Sequence, residues 1–111
     1  MSQLIWTALN NGEYKPSGAG YGFKITYEDR IKHFQRTWKS VIIILPAEDE
    51  NIEIAANVDK KSFWSPPCGE LISKKIGNWL IKRGFSRWPQ GQPPKLKISV
   101  DGDRRFKIEE S

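Results

Sequence analysis

The sequence predicts a single α+β domain, in which a mixed or mostly antiparallel sheet of about six strands carries two helices. Short apolar or alternating segments, bounded by glycine, asparagine and aspartate, predict the strands. Two segments with apolar residues three and four positions apart predict the helices. The predicted order is β-β-α-β-β-α-β-β, and a half-open barrel with helices at its ends fits the same order.

The composition is that of an ordinary globular protein. The chain has 111 residues, of which 38% are hydrophobic and 28% charged, and this length suits one domain rather than two. The aromatic residues (5 Trp, 3 Tyr and 5 Phe) provide enough apolar area for a core. The net charge of +5 favours anionic partners and says nothing about fold.

The first two predicted strands flank a glycine-rich loop. Residues 4–9 are rich in Ile, Trp and Thr, and the turn signal at residues 10–12 ends them. Residues 12–22 hold four glycines and a proline and predict a loop. Residues 21–26 alternate and predict the second strand. Its expected inward-facing residues are Tyr21, Phe23 and Ile25.

The first helix is predicted over residues 27–38. Thr26 can cap it, and Glu28 and Asp29 lie where the helix dipole favours negative charge. The apolar stripe expected to face the core consists of Tyr27, Ile31, Phe34 and Trp38.

A hairpin is predicted next. Residues 40–45 form a continuous β-branched run, which is typical of a central strand buried on both faces. An acidic turn over residues 46–51 leads to a returning strand that contains Ile52, Ile54 and Val58.

The second helix is predicted over residues 68–83, opened by Pro66 and Pro67. Gly84 stands where a left-handed cap is needed, and Phe85 can pack back on the helix in a Schellman motif. The expected buried stripe consists of Ile72, Ile76, Trp79 and Leu80.

A final hairpin is predicted after a rigid, proline-containing loop over residues 86–94. Residues 95–100 alternate with Leu96, Ile98 and Val100 inward, and residues 104–109 return with Phe106 and Ile108 inward. Asp101-Gly102-Asp103 supplies the turn between them.

The most informative functional feature is a segment without acidic residues. Residues 71–100 contain no Asp or Glu, yet they carry seven Lys or Arg with Trp79, Phe85 and Trp88 among them. Such a segment attracts phosphates and offers stacking surfaces. An amphipathic helix with a solvated face produces the same charge pattern, with the tryptophans in the core.

We therefore expect a small basic binding domain that contacts DNA or RNA. The expected contact residues are Lys74, Lys75, Lys82, Arg83, Arg87 and Lys95 for phosphates, with Trp88 for stacking. The alternative is a protein–protein interaction module without catalytic activity. It would bind an acidic or proline-rich partner through the region between Trp64 and Trp88, where aromatic residues adjoin prolines.

No catalytic, metal or cofactor site is expected. Cys68 and His33 are single residues of their types, which excludes a disulfide and a His/Cys zinc site within one chain. Cys68 is expected at the start of the second helix as a structural residue. The charges at residues 48–50 and 59–61 loosely resemble a nuclease metal set, but charged hairpin ends explain them. The glycines of residues 18–22 precede a strand rather than a helix, which indicates a flexible turn rather than a phosphate loop.

The expected location is the cytoplasm. The first six residues contain no basic region followed by an apolar run, so no signal peptide is predicted. The longest apolar run, residues 41–47, is much shorter than the roughly 20 residues of a membrane span. A single cysteine fits a reducing compartment.

Overall fold

Seven strands form one mixed sheet in the computed structural model, which describes residues 4–10, 15–85, 87–89 and 91–109. The strands are β1 (Leu4–Asn10), β2 (Tyr21–Lys24), β3 (Ser40–Leu45), β4 (Ile52–Asn57), β5 (Glu70–Ile72), β6 (Lys95–Val100) and β7 (Arg105–Glu109). The helices in the described residues are α1 (Tyr27–His33), α2 (Lys61–Trp64) and α3 (Lys74–Lys82). None of these helices is long and apolar enough to cross a membrane.

The sheet curves almost into a barrel. Its strand order is β4-β3-β7-β6-β1-β2-β5, and every neighbouring pair is antiparallel except β3 and β7. The two edge strands, β4 and β5, approach each other without pairing. The predicted α+β class and half-open barrel are confirmed, with one more strand and one more short helix than predicted.

The helices lie at the two ends of the barrel. The registers bring the last residues of β3 and β7 to the same end as the first residues of β4 and β6. At this end α3 packs, because Trp79 Nε1 donates to the carbonyl oxygen of Pro46 just beyond β3. At the opposite end α1 follows β2 and α2 follows β4.

Aromatic rings fill the barrel between these ends. Phe34 stacks on Phe106 with ring centroids 4.6 Å apart and planes only 9° from parallel. Trp6, which is fully buried, lies 5.5 Å from Phe106 and 5.6 Å from Phe23. Phe63 of α2 reaches Phe34 at 5.0 Å. The core therefore joins the sheet directly to the helical segments at the α1/α2 end.

The predicted first helix is too long, and two of the four residues of its predicted buried stripe are exposed, whereas Phe34 and Trp38 pack in or against the core. Tyr27 and Ile31 are 41% and 57% exposed, whereas Phe34 is buried. The chain leaves the helix at Phe34, whose φ of −123° and ψ of 154° are extended, so residues 34–38 do not continue the stripe. Arg30, rather than an apolar residue, occupies the buried face of α1.

Arg30 is only 1% exposed, and its guanidinium is surrounded by backbone carbonyls. Nε donates to the oxygen of Ile25 at 3.1 Å, and Nη1 donates to the oxygen of Ser65 at 2.9 Å. Further acceptors are the carbonyl oxygens of Thr26, Phe63 and Pro66. Burial lowers the pKa of Arg30 by desolvation. These bonds tie the residues after α2 to the start of α1.

The predicted second helix begins too early because Gly69 breaks it. Gly69 has a φ of +68°, and a Cβ there would lie 2.3 Å from the carbonyl oxygen of Ile25 and 2.8 Å from Arg30 Nε. Residues 70–72 then pair with β2 as β5 instead of starting the helix. Ser73, whose Oγ accepts from the backbone N–H of Lys75 at 3.2 Å, caps α3. Cys68 is therefore half-buried ahead of β5 and not at a helix N-terminus.

The end of α3 follows its prediction. Gly84 has a φ of +77°, its N–H bonds to the carbonyl of Ile81, and the N–H of Phe85 bonds to the carbonyl of Leu80 at 2.8 Å. This is the Schellman pattern. Of the predicted stripe, the residues that α3 buries are Ile76, Trp79 and Leu80.

The strand predictions are confirmed in position with small differences. Residues 40–45 and 95–100 match β3 and β6 at both ends. One residue expected inward, Val100, is instead 54% exposed at the end of β6. The predicted turn at residues 10–12 lies largely outside the described residues.

The glycine-rich loop docks on α3. Gly18 is buried with a φ of +84°, and a Cβ added to Gly77 would lie 2.1 Å from the carbonyl oxygen of Gly18. This close approach of two backbones needs glycine on both sides. The loop is thus a packing element of α3 rather than a flexible turn.

We expect Arg30→Lys to lower the free energy of unfolding by about 3 kcal/mol, because an ammonium has three donors and cannot span the same carbonyls. Urea denaturation measures the loss. The matched control is Arg36→Lys, since Arg36 is exposed beside the Trp64 ring. Equal stability of the two variants would contradict a structural role for the buried guanidinium.

Gly77→Ala should destabilise the fold by about 2 kcal/mol through overpacking. An exposed helix position would show the opposite sign, since alanine is favoured over glycine by about 1 kcal/mol. The control is Asn78→Ala, one residue further along α3 and exposed. Thermal unfolding shows whether Gly77→Ala destabilises or stabilises the protein. A stabilised Gly77→Ala variant would show that the loop does not pack on α3.

Candidate binding site around helix α3

The basic residues of α3 lie on its exposed side. Lys75, Asn78 and Lys82 are spaced by three and four residues, so they share one face. Lys74 is exposed at the first position of the helix. The solvated basic face that the sequence predicts is therefore present, and it borders two depressions.

The first depression, here called the α3 groove, has a volume of about 860 Å³ between α3 and the β3–β4 turn. Its floor is apolar and includes Leu45, Ile54 and Trp79. Its α3 wall contains Lys75, Lys82 and Arg83, and its opposite wall contains Glu48, Asp49 and Glu50. Residues 71–100 contain no acidic residue, yet in the fold the part of this segment in α3 faces the acidic residues 48–50. The groove therefore has one basic wall and one acidic wall.

Trp79 and Arg83 hold α3 against the β3–β4 turn. Trp79 Nε1 and Arg83 Nη2 both donate to the carbonyl oxygen of Pro46, each at 2.7 Å. The Arg83 guanidinium also lies 5.6 Å from the Trp79 ring centroid. Because both residues line both depressions, they form the boundary between them.

The second depression, here called the Phe85 cleft, has a volume of about 340 Å³ at the end of α3. It is lined by Trp79, Arg83, Phe85, Lys95, Leu96, Lys97, Ile108 and Glu109. Its three cations come from α3's end and from β6, where Lys95 and Lys97 share one face. Among the described residues that line it, the one carboxylate is that of Glu109, which accepts from the Ser99 hydroxyl at 2.6 Å.

Phe85 provides the accessible ring in this cleft. It is 36% exposed, whereas Trp79, whose ring centroid lies 6.3 Å away, is buried. The backbone explains the position of the ring, because the Schellman turn directs the chain back over the last turn of α3. The cleft therefore combines an exposed aromatic ring with three cations.

The structure brings some of the predicted contact residues together and leaves others apart. Arg83 and Lys95 line the Phe85 cleft, whereas Lys75 and Lys82 line the α3 groove. Lys74 and Arg87 are exposed outside both depressions. Phe85 and Lys97 were not predicted as contact residues, and the signal for them was their presence in the acid-free segment.

Trp88 is half-buried. It packs against the core, and its ring meets Tyr21 edge-on with centroids 6.5 Å apart. Trp64 is buried at the other end of the barrel, where Arg36 lies 4.9 Å from its ring. The two tryptophans therefore do not form one groove, because β5 carries the chain from one end of the barrel to the other.

The carboxylates form no metal site in the described part of the chain. Residues 48–50 precede β4 and residues 59–61 follow it, so the strand separates them by roughly 20 Å. Among the described residues, no group of three His, Cys, Asp or Glu could hold a metal ion. His33 is half-exposed at the end of α1.

Comparisons with protein-family models, with curated proteins and with solved structures found no match to this chain.

Trp79→Phe should lower the free energy of unfolding by about 2 kcal/mol, since it removes the N–H bond to Pro46 and leaves a small void. Chemical denaturation measures the loss. Trp88→Phe is the matched control, and its half-buried position predicts a smaller loss. A Trp79→Phe variant as stable as the wild type would mean that α3 is held by its other contacts alone.

Proposed function

We propose that this domain binds nucleic acid, DNA or RNA, on the surface around the Phe85 cleft. The observation that carries the proposal is the convergence of Arg83, Lys95 and Lys97 around the exposed ring of Phe85. Cations contact phosphates without reading sequence, and an aromatic face stacks on any base. The two kinds of group occur side by side here.

The path of the nucleic acid follows from the charges. The acidic residues 48–50 disfavour phosphates inside the α3 groove. We therefore place the strand along Lys82, Arg83, Lys95 and Lys97, with Lys74, Lys75 and Arg87 adding to the local positive potential. Glu109 is the only carboxylate lining the described part of the cleft, and the Ser99 hydroxyl already bonds to it.

The stacking role passes from Trp88 to Phe85 in this proposal. Trp88 packs on Tyr21 and supports the loop that leads into β6. Phe85 exposes its ring inside the cleft, between cations of two elements. Loss of Trp88 would therefore act through stability, and loss of Phe85 through binding.

A protein-interaction module is the second candidate. The observation in its favour is the α3 groove, where Ile52 exposes 44% of its surface above an apolar floor between walls of opposite charge. A partner held mainly by apolar anchors would bind with weak salt dependence. An acidic or proline-rich partner spanning Trp64 and Trp88 is disfavoured by their separation.

Charge reversal tests the nucleic-acid proposal. Single- and double-stranded oligonucleotides are titrated at low and physiological salt, with tryptophan fluorescence or anisotropy as the readout. We expect salt-sensitive binding that the Lys95→Glu/Lys97→Glu double variant weakens about tenfold or more. The slope of log affinity against log salt should also become shallower.

The matched control is Lys60→Glu/Lys61→Glu, which makes the same change in net charge at the α1/α2 end of the barrel. We expect a loss of about threefold or less, because this pair lies away from the cleft. Equal losses in the two double variants would indicate non-specific attraction to a basic protein. No binding at low salt would refute the proposal.

A further inference from the structure

We infer that the Phe85 cleft holds one unstacked base, so that the domain prefers single strands over duplexes. This inference rests on the proposed function and names the form of nucleic acid that the same site takes.

The size of the cleft supports a single base. Its volume of about 340 Å³ lies at the low end of the roughly 300–1,000 Å³ of sites that hold small organic ligands. Two walls bound the cleft. One is the end of α3, and the other is formed by the beginning of β6 and the end of β7. A planar base fits such a slot, whereas the rounded surface of a duplex meets only its rim.

Different groups of the cleft suit the base and the phosphates of a bound strand. Its apolar lining residues are Trp79, Phe85, Leu96 and Ile108, and of these Phe85 is exposed and offers its ring to a base. Glu109 repels a phosphate but can accept from an N–H group of a base, such as the N3–H of thymine. Lys95 and Lys97 are exposed on β6 and can reach the phosphates on either side of that base.

A paired base cannot enter without leaving its stack. In duplex DNA each base is stacked and paired, and extruding one costs a few kcal/mol. In a single strand the bases are already accessible, and recognition by stacking on aromatic side chains is the common mode. We therefore expect the preference for single strands to follow from stacking on the exposed Phe85 ring, rather than from the cations.

The first test leaves the protein unchanged. Wild-type protein is titrated with a fluorescein-labelled dT 12-mer, with the same strand carrying abasic sites at its central positions, and with a 12-base-pair duplex. The abasic strand keeps every phosphate but loses the bases that stack. We expect the abasic strand and the duplex to bind about tenfold more weakly than the intact strand, with a similar salt slope.

The second test changes the ring. Phe85→Leu fills the cleft without an aromatic face, and Phe85→Tyr retains the face. We expect Phe85→Leu to lose about tenfold in affinity for the intact 12-mer and to bind the abasic strand as the wild type does. Phe85→Tyr should bind both strands as the wild type does. Thermal unfolding of each variant confirms that the fold is intact.

The outcomes distinguish a failure of the base slot from a failure of the proposed nucleic-acid binding. If intact, abasic and duplex oligonucleotides bind equally, and Lys95→Glu/Lys97→Glu weakens all of them, the domain binds phosphates and the base slot is refuted. If Phe85→Leu weakens all three equally, Phe85 acts through the shape of the cleft, and the slot is again refuted. If wild-type protein binds none of them at low salt, the proposed function itself fails.

Discussion

The guanidinium of Arg30 holds together three segments that meet at one end of the barrel. It donates to carbonyls at the β2–α1 junction, to the carbonyl of Phe63 in α2, and to carbonyls of the chain after α2. Its buried charge is balanced by peptide dipoles and lies near the rings of Tyr27 and Phe63. Gly69 must leave room for it, which determines where β5 begins and, through β5, where α3 begins. The candidate site at the far end of the barrel therefore depends on a cation in the core.

At that far end, α3 is fixed from two sides. The Gly18–Gly77 contact holds it close to the loop before β2, and the bonds from Trp79 and Arg83 to Pro46 hold it to the β3–β4 turn. These restraints leave a gap on each side of Trp79, and the gaps are the α3 groove and the Phe85 cleft. The two depressions differ in charge because the acidic β3–β4 turn faces α3 at the groove, whereas the basic start of β6 faces the end of α3 at the cleft. The basic face of α3 alone does not predict this difference in charge between the α3 groove and the Phe85 cleft.

Local pattern predicted six of the seven strands and the end of α3, but not the short strand β5, the extent of α1 or the start of α3. The β-branched run predicts the strand at residues 40–45, and the alternation predicts the strand at residues 95–100. Neither prediction needs knowledge of distant contacts. The stripe predicted for α1 was wrong at Tyr27 and Ile31, because the buried face of the helix carries Arg30, which is stabilised by carbonyls that only the fold assembles. The start of the second helix was wrong because the positive φ of Gly69 and the pairing of β5 are tertiary effects. Exposure of the α3 lysines was predictable, whereas their acidic neighbours and the meeting of Phe85 with Lys97 depend on strands far away in sequence.

The parallel pairing of β3 with β7 has a consequence for how the protein is made. Ile42 pairs with Arg105, roughly sixty residues later in the chain, and β7 then lies between β3 and β6. Before β7 pairs, the β3 edge of the β3–β4 hairpin is open and apolar. No strand then connects this hairpin to β6 and the rest of the sheet. Folding on the ribosome would therefore wait for nearly the whole described chain to emerge. During that interval the nascent hairpin exposes an unpaired strand edge, which is the kind of surface that makes folding intermediates prone to aggregation.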